Sequence, residues 1–456
     1  MRFSLPRAVL GFTLVITAAA CGGSVQETGS GSTGSGGTGG AQSSVAGTGG
    51  VTSTVATTTV ATTGSTVASS SSTAASSTSS GPWMTEAPFP APPQVQSYGG
   101  TVLSAPNIYG ILFASDDPST AASLADFTSK IGSTSYWTGA VSEYGVGPAT
   151  AKIITVTDTP QANMQDSDVQ SWLVSKFGTD PNFPPAPSPN DLYVIYYPAG
   201  VTINLFGMAS CSTFGGYHDE TSFNGQPVAY AVLPRCSYPG ATDLEVATGS
   251  ASHEMIEGAT DPYPMSNPAY TLPDYADIFL VDALGGGEIG DMCAQNPQAF
   301  TIFPGFPYVV QRVWSNAQAA AGHDPCQPEP QGEVYYNAAP VFTSTVTYKV
   351  QGFQSVPGVR GIKIPVGKSA TIPVDYYSDG PMSAWPAKAY DYQSTFMGGS
   401  PLLSLTLTPP TGNNGTKGTL QITVNKEGQG QQELFFIASS TDGGQTVNWS
   451  FGVVTN

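Results

Sequence analysis

Residues 22 to about 95 contain almost nothing from which a core can be built. "GSGSTGSGGTGG" and "SSSSTAASSTSSG" are runs of Gly, Ser, Thr and Ala. Such a segment cannot bury enough apolar surface to offset the entropy lost on ordering. Residues 21–95 therefore read as a disordered tether, stiffened at its end by the Pro-rich "APFPAPPQ". Any fold has to come from the residues that follow.

What precedes the tether reads as an export signal. Arg2 and Arg7 form a short positive region before the apolar run "AVLGFTLVITAAA", which is too short for a stable membrane helix. Small residues then meet Cys21. The sequence "AAAC" resembles a bacterial lipobox, with Ala18 where Leu is usual, and so predicts a lipoprotein signal peptide over 1–20 and lipid on Cys21. The alternative is plain cleavage after Ala20, leaving a free thiol. The cysteine count favours lipid. The chain has 5 Cys, and removing Cys21 leaves an even set: Cys211, Cys236, Cys293 and Cys326. Three connectivities are possible. Cys211–Cys236 with Cys293–Cys326 is preferred, because each bond closes a modest loop. The expected location is the bacterial cell envelope or surface, with the membrane reached through the lipid.

Charge narrows the partners. The chain carries a formal charge of -18, from 32 acidic and 14 basic residues, and no Lys or Arg lies between Arg7 and Lys130. Nothing here neutralises phosphates, so no nucleic-acid partner is expected.

Beyond the tether two patterns alternate. From 96 to 327, strand-like runs ("PNIYGILFA", "AKIITVTD", "DLYVIYYPAG", "PVAYAVLP", "YVVQRVWS") are interleaved with helical ones (119–132, 166–178, 243–260). That order predicts an α/β or α+β domain. The stretch between Asp261 and Gly287 is Pro-rich and reads as a long surface loop. From 333 to 456 the period changes to two. Leu403, Leu405 and Leu407 share a face, as do Leu420, Ile422 and Val424, and Val447, Trp449, Phe451 and Val453, with "TGNNG" and "TDGGQ" as turns. Those runs predict an all-β sandwich of immunoglobulin-like type, a spacer, adhesion or carbohydrate-binding module.

The chemistry concentrates in "ASHEMIEGATDP" (251–262). It differs from the zinc-protease pattern His-Glu-x-x-His in having Glu257 as its second ligand position. In a helix, His253 and Glu257 lie on one face a turn apart, and both side chains are ordinary zinc ligands. Glu254 sits one step round, where a general base stands beside a metal-bound water. The bland alternative is a helix whose polar residues face solvent. A third ligand is sought in "GGGEIGDMC": Glu288 or Asp291 would bind the metal, and the other would orient His253. Asp261 is a weaker choice, since the helix ends there. His218, in "GGYHDE", is either a cleft-lining donor to substrate or a loop histidine bonded to backbone. His323 reads as structural.

The succession "SHEMIEGATDP", "EIGDMC", "VQRVWSNA" resembles the phosphate-induced/EXORDIUM-like proteins and their bacterial secreted relatives. "DLYVIYYPAGVTI", "SCSTFGGYHDE" and "YAVLPRC" resemble the upstream part of the bacterial relatives. The resemblance covers roughly 105–326. It implies His253, Glu254, Glu257, Glu288 and Asp291 as site positions and extracellular work related to growth or the cell wall, but no particular reaction. The segment 263–284 departs from the pattern and would be a lid or would carry Glu288 elsewhere.

The expectation is a zincin-like α/β domain followed by a β-sandwich: a surface-anchored zinc-dependent hydrolase, most simply a metallopeptidase acting on an extracellular peptide or an envelope polymer. Zinc would be held by His253, Glu257 and Glu288 or Asp291, with Glu254 as base and His218 as donor. The alternative is a non-catalytic surface binding or adhesion lipoprotein with a structural metal site.

Overall fold

The computed structural model describes residues 94–272, 286–294, 296, 298–330, 332–349, 355–396, 398–443 and 448–456. The expected signal peptide, Cys21, nearly all of the tether, most of the expected lid (273–284) and Val447 lie outside the described residues.

The first architectural element is a five-stranded sheet. Its strands are β1 (Asn107–Phe113), β2 (Thr150–Val156), β3 (Asp191–Tyr196), β4 (Tyr217–Phe223) and β5 (Gln226–Leu233). The spatial order is β2-β1-β3-β5-β4; the first four are parallel, and β4 pairs antiparallel with β5. Helices cover both faces, so the inner strands are apolar on both sides. Leu192, Val194 and Tyr196 of β3 join one core with helix α1 (Pro118–Ile131), helix α2 (Ser135–Val141) and helix α4 (Asp243–Thr260). The intervening Tyr193, Ile195 and Tyr197 join the other core with helix α3 (Asp166–Lys176). The period of two along a strand thus builds a three-layer arrangement. Each fully buried Leu, Ile or Val side chain contributes roughly 1.5–3 kcal/mol to it.

Helix α4 starts at a capping box. Thr242 Oγ1 accepts from the Glu245 amide (3.2 Å), and Glu245 Oε2 accepts from the Thr242 amide (2.8 Å). It runs across the sheet with Ala247, Ala251, Met255, Ile256 and Ala259 in the core, and gives way at Asp261 just before Pro262. At Gly258 a β-carbon would lie 3.0 Å from a Leu192 methyl, so the glycine sets how closely helix and sheet approach.

Two features at the domain limits differ from expectation. Val95, assigned to the tether, is buried, and Asn316 clasps its backbone: Val95 N donates to Oδ1 (3.0 Å) and Nδ2 donates to Val95 O (2.7 Å). The apolar core also crosses the boundary near residue 330, since Tyr348, Val359 and Val453 belong to the same cluster as α4. His323, which ends the loop after the short helix Asn316–Ala321, lies 2.9 Å from Asp379 and so joins the two parts, a structural role as expected.

Among the described residues the C-terminal part is all β except for one short helix and a 3-10 turn. One four-stranded antiparallel sheet holds Tyr336–Pro340, Ser369–Ser378, Lys417–Val424 and Leu403–Thr408 in that order. A six-stranded sheet faces it, and Leu403, Leu420, Ile422 and Val424 of the first pack with Phe435, Ile437 and Val454 of the second. The chain is therefore mixed α/β and rich in sheet.

Both disulfides form as preferred, Cys211–Cys236 and Cys293–Cys326, with Cα separations of 5.1 and 5.7 Å. Among the described residues no helix is long and apolar enough to cross a membrane.

Candidate metal centre

Six side chains from three segments meet beneath the sheet: His253, Glu254 and Glu257 from α4, His218 from β4, and Glu288 and Asp291 from the segment after the loop. All are buried; His253 and Glu254 are each 5% exposed and Glu257 0%.

Local geometry explains each placement. On β4 the alternation sends Tyr217 to the far core and His218 towards α4. The position expected in a loop is therefore in an edge strand, paired opposite Ala231. The segment carrying Glu288 and Asp291 is pinned twice. Trp314 N donates to Ile289 O (2.8 Å), and Cys293 is bonded to Cys326, which lies opposite Trp314 in a short ladder. Glu257 ties this segment to α4, because its Oε1 accepts from the amides of Gly290 (2.9 Å) and Asp291 (3.1 Å).

Two overlapping donor sets result, each able to hold a metal ion: His253, Glu257 and Asp291; and His218, Glu254 and Glu257. In the first, His253 Nε2 lies 2.8 Å from Glu257 Oε2 and 3.8 Å from Asp291 Oδ1. The Glu257 approach is close, yet Oε2 has no hydrogen-bond partner. The other ring nitrogen, Nδ1, is 3.0 Å from Gln311 Oε1. Gln311 Nε2 donates to Gly290 O (2.8 Å), which fixes Oε1 as the end facing the ring. Nδ1 then carries a proton, and Nε2 faces Glu257 and Asp291, where a bound ion would take the place of its proton. In the second set, His218 Nδ1 lies 3.6 Å from Glu254 Oε2 and 3.7 Å from Glu257 Oε2, while Nε2 lies 3.3 Å from Glu288 Oε2. Donors bound tetrahedrally at about 2.0–2.2 Å are about 3.3–3.6 Å apart, which is the scale of these separations.

Burial opposes charge on both histidines, and the carboxylates overcome it. Burial alone would lower His218; Glu254 and Glu257 raise it to about 9. His253 is likewise raised against burial, chiefly by Glu257 and Glu254. Asp291 is pushed well up, first by burial and then by the charge of Glu257. Burial also raises Asp261, to about 6; its Oδ1 accepts from Ala269 N at 2.7 Å, which makes it a helix-end anchor.

All six sequence-derived positions are thus brought together, with a redistribution of parts. Asp291 stands beside His253 and Glu257, whereas Glu288 faces His218. The orienting of His253 falls to Gln311, which sequence reasoning did not single out. Its position in "VQRVW" carries no local signal of that duty, because the partner lies 58 residues away.

No family model matches the sequence, and no curated protein does. Among solved structures, domains 4 and 5 of the S-layer protein SbsC share 9% identity over 32% of this chain and 80% of that one, at a TM-score of 0.16. A chimeric titin Z1Z2 carrying a decorin peptide shares 12% identity over 26% of this chain and 97% of that one, at 0.15. At those TM-scores neither similarity carries an argument about fold or function.

Proposed function

We propose that the protein is an exported zinc-dependent hydrolase with a zincin-like domain, its ion held by His253, Glu257 and Asp291. The observation that supports this reading is the convergence of an imidazole nitrogen and two carboxyl groups on one buried point, with the second ring nitrogen already committed to Gln311. Imidazole together with carboxylate suits zinc, whereas calcium favours oxygen ligands alone. Bound there, zinc would polarise a carbonyl and acidify a water. Glu254, next to His253 on α4, would be placed to accept a proton from water when a single ion is bound. His218 lies within reach of Glu254 and donates to the developing oxyanion. The substrate class is an extracellular peptide or envelope polymer. Lipid at Cys21 and the tether hold the catalytic part off the membrane, and the C-terminal immunoglobulin-like unit acts as spacer or adhesion module. The two disulfides agree with export.

Near-complete burial favours a second reading, a structural cation in a surface binding protein. The two separate on Glu254. Metal content by mass spectrometry and hydrolysis of a mixed peptide library are measured on the wild type, His253→Ala and Glu254→Gln. Hydrolysis requires zinc in the wild type, less zinc in His253→Ala than in the wild type, and loss of turnover in folded Glu254→Gln. Zinc that raises the melting temperature, with no cleavage by the wild type, supports the structural reading. A folded wild type that takes up no zinc on add-back defeats both.

A further inference from the structure

We propose that the site holds two divalent cations rather than one, the second bound by His218, Glu254 and Glu257, with Glu257 shared between them. The inference rests on reading His253, Glu257 and Asp291 as a metal shell, and it changes Glu254 from proton acceptor, and His218 from oxyanion donor, to ligands.

Three observations carry it. The first is an uncommitted histidine. His218 is among the most buried polar side chains of the protein, and neither ring nitrogen has a hydrogen-bond partner. Burying an imidazole with both nitrogens unbonded costs free energy unless a ligand uses one of them. Nδ1 faces Glu254 and Glu257.

The second is a parallel between the two histidines. Each turns one nitrogen towards Glu257 and the other towards an acceptor: Gln311 Oε1 for His253, Glu288 Oε2 for His218. Metal-bound imidazoles are held with the far nitrogen turned to a carboxylate or carbonyl; His253 makes that hydrogen bond, and His218 Nε2 lies 3.3 Å from Glu288 Oε2 without one. One ring built so implies one ion. Two rings aimed at one shared carboxylate imply two.

The third is charge. Glu254, Glu257, Glu288 and Asp291 are all buried. Glu254, Glu257 and Asp291 make their ion pairs, among the described residues, with the two histidines. Arg312 is buried nearby in sequence, but its guanidinium is bonded to Asp324 and to the carbonyls of Pro328 and Cys326. Four buried carboxyl groups face only two imidazoles, and divalent ions would offset the excess of acidic groups in a low-dielectric interior. Glu257 is suited to sharing. Its Oε1 is fixed by two backbone amides, which leaves Oε2 free of hydrogen bonds between the two rings. A two-ion centre would supply the paired Lewis acids used in peptide and phosphoester hydrolysis, which narrows the chemistry to amide or phosphoester cleavage.

The test is zinc stoichiometry on the full chain, stripped by chelation and titrated with zinc, read by native mass spectrometry. Circular dichroism verifies each variant. The wild type is expected to take up two equivalents. His218→Ala and Glu254→Gln should each keep one, held by His253 and Asp291. His253→Ala and Asp291→Asn should also keep one, held by His218 and Glu254. A wild type that saturates at one equivalent overturns the proposal and leaves the hydrolase reading standing. Two equivalents that survive both His218→Ala and Glu254→Gln place the second ion elsewhere and also overturn it. No uptake at all defeats the hydrolase reading together with this one.

Discussion

Gln311 shows how much of the site depends on a single neutral side chain. It accepts from His253, donates to the Gly290 carbonyl, and takes Ser252 Oγ through its own amide (2.8 Å). It therefore couples α4, the Asp291 segment and the strand Val309–Gln311. Gln311→Ala should leave the fold intact and weaken zinc binding about 10–100-fold, the usual cost of losing an orienting partner; competition against a chelator of known affinity reads it directly. Affinity within a factor of two of the wild type would mean that His253 needs no orienting. Gly290 makes a sterically opposite prediction. A β-carbon there would lie 2.7 Å from both Glu257 Oε1 and His253 Nδ1. Each atom is held by hydrogen bonds, Oε1 by two backbone amides and Nδ1 by Gln311, so Gly290→Ala should cost about 1–3 kcal/mol and abolish tight zinc binding, measured by denaturation and by the same competition.

At the scale of elements, α4 was legible because its signals are local. The capping box at Thr242 and Glu245, the apolar face and the stop at Pro262 all lie within one stretch of chain, so the i, i+4 placement of His253 and Glu257 follows from helix geometry. Thr242→Ala should cost about 1 kcal/mol in thermal or chemical unfolding, with no change in zinc stoichiometry, since the cap is at the end of the helix away from the ligands. The edge strand β4 was not legible. "YHDETSF" is polar and follows two glycines, and only register against β5 turns His218 towards α4. Pairing between segments is not written in the period of either one. The same holds for the choice between Glu288 and Asp291. Spacing could name both, but the Trp314 and Cys293–Cys326 attachments decide which histidine each one faces. The disulfide is therefore expected to act on the site as well as on the fold. Replacing Cys293 and Cys326 by Ser should lower stability by about 2–5 kcal/mol and speed zinc release, whereas the same change at Cys211 and Cys236 should lower stability while leaving zinc release slow.

Across the whole molecule, the sheet-rich C-terminal part carries its own titrating core residue, remote from any ligand. Glu433 is buried in the strand Gln432–Ser439, with one carboxylate oxygen lacking a hydrogen-bond partner. Burial first, and then the charge of Asp391, push its carboxyl up to about 8, against the opposing hydrogen bond from the Gly428 amide; Glu427 adds to the repulsion. Asp391 is occupied differently, accepting from the amides of Ser394, Leu402 and Leu403. An unfolded glutamate ionises near its ordinary value of about 4.3. Between that value and about 8 the folded chain therefore holds a proton that the unfolded chain has released. Linkage then requires stability to fall as pH rises through this window, and to be independent of this group below and above it. Glu433→Gln keeps the shape and removes the titration. The wild-type melting temperature minus that of the variant should decline steadily from about pH 4.5 to about pH 8 and level off on both sides. Subtracting the variant removes the contribution of the metal centre, which both proteins share. A difference that stays constant across the window would mean that Glu433 ionises in the folded protein as freely as in the unfolded one, with its buried oxygen stabilised by a cation or an ordered water.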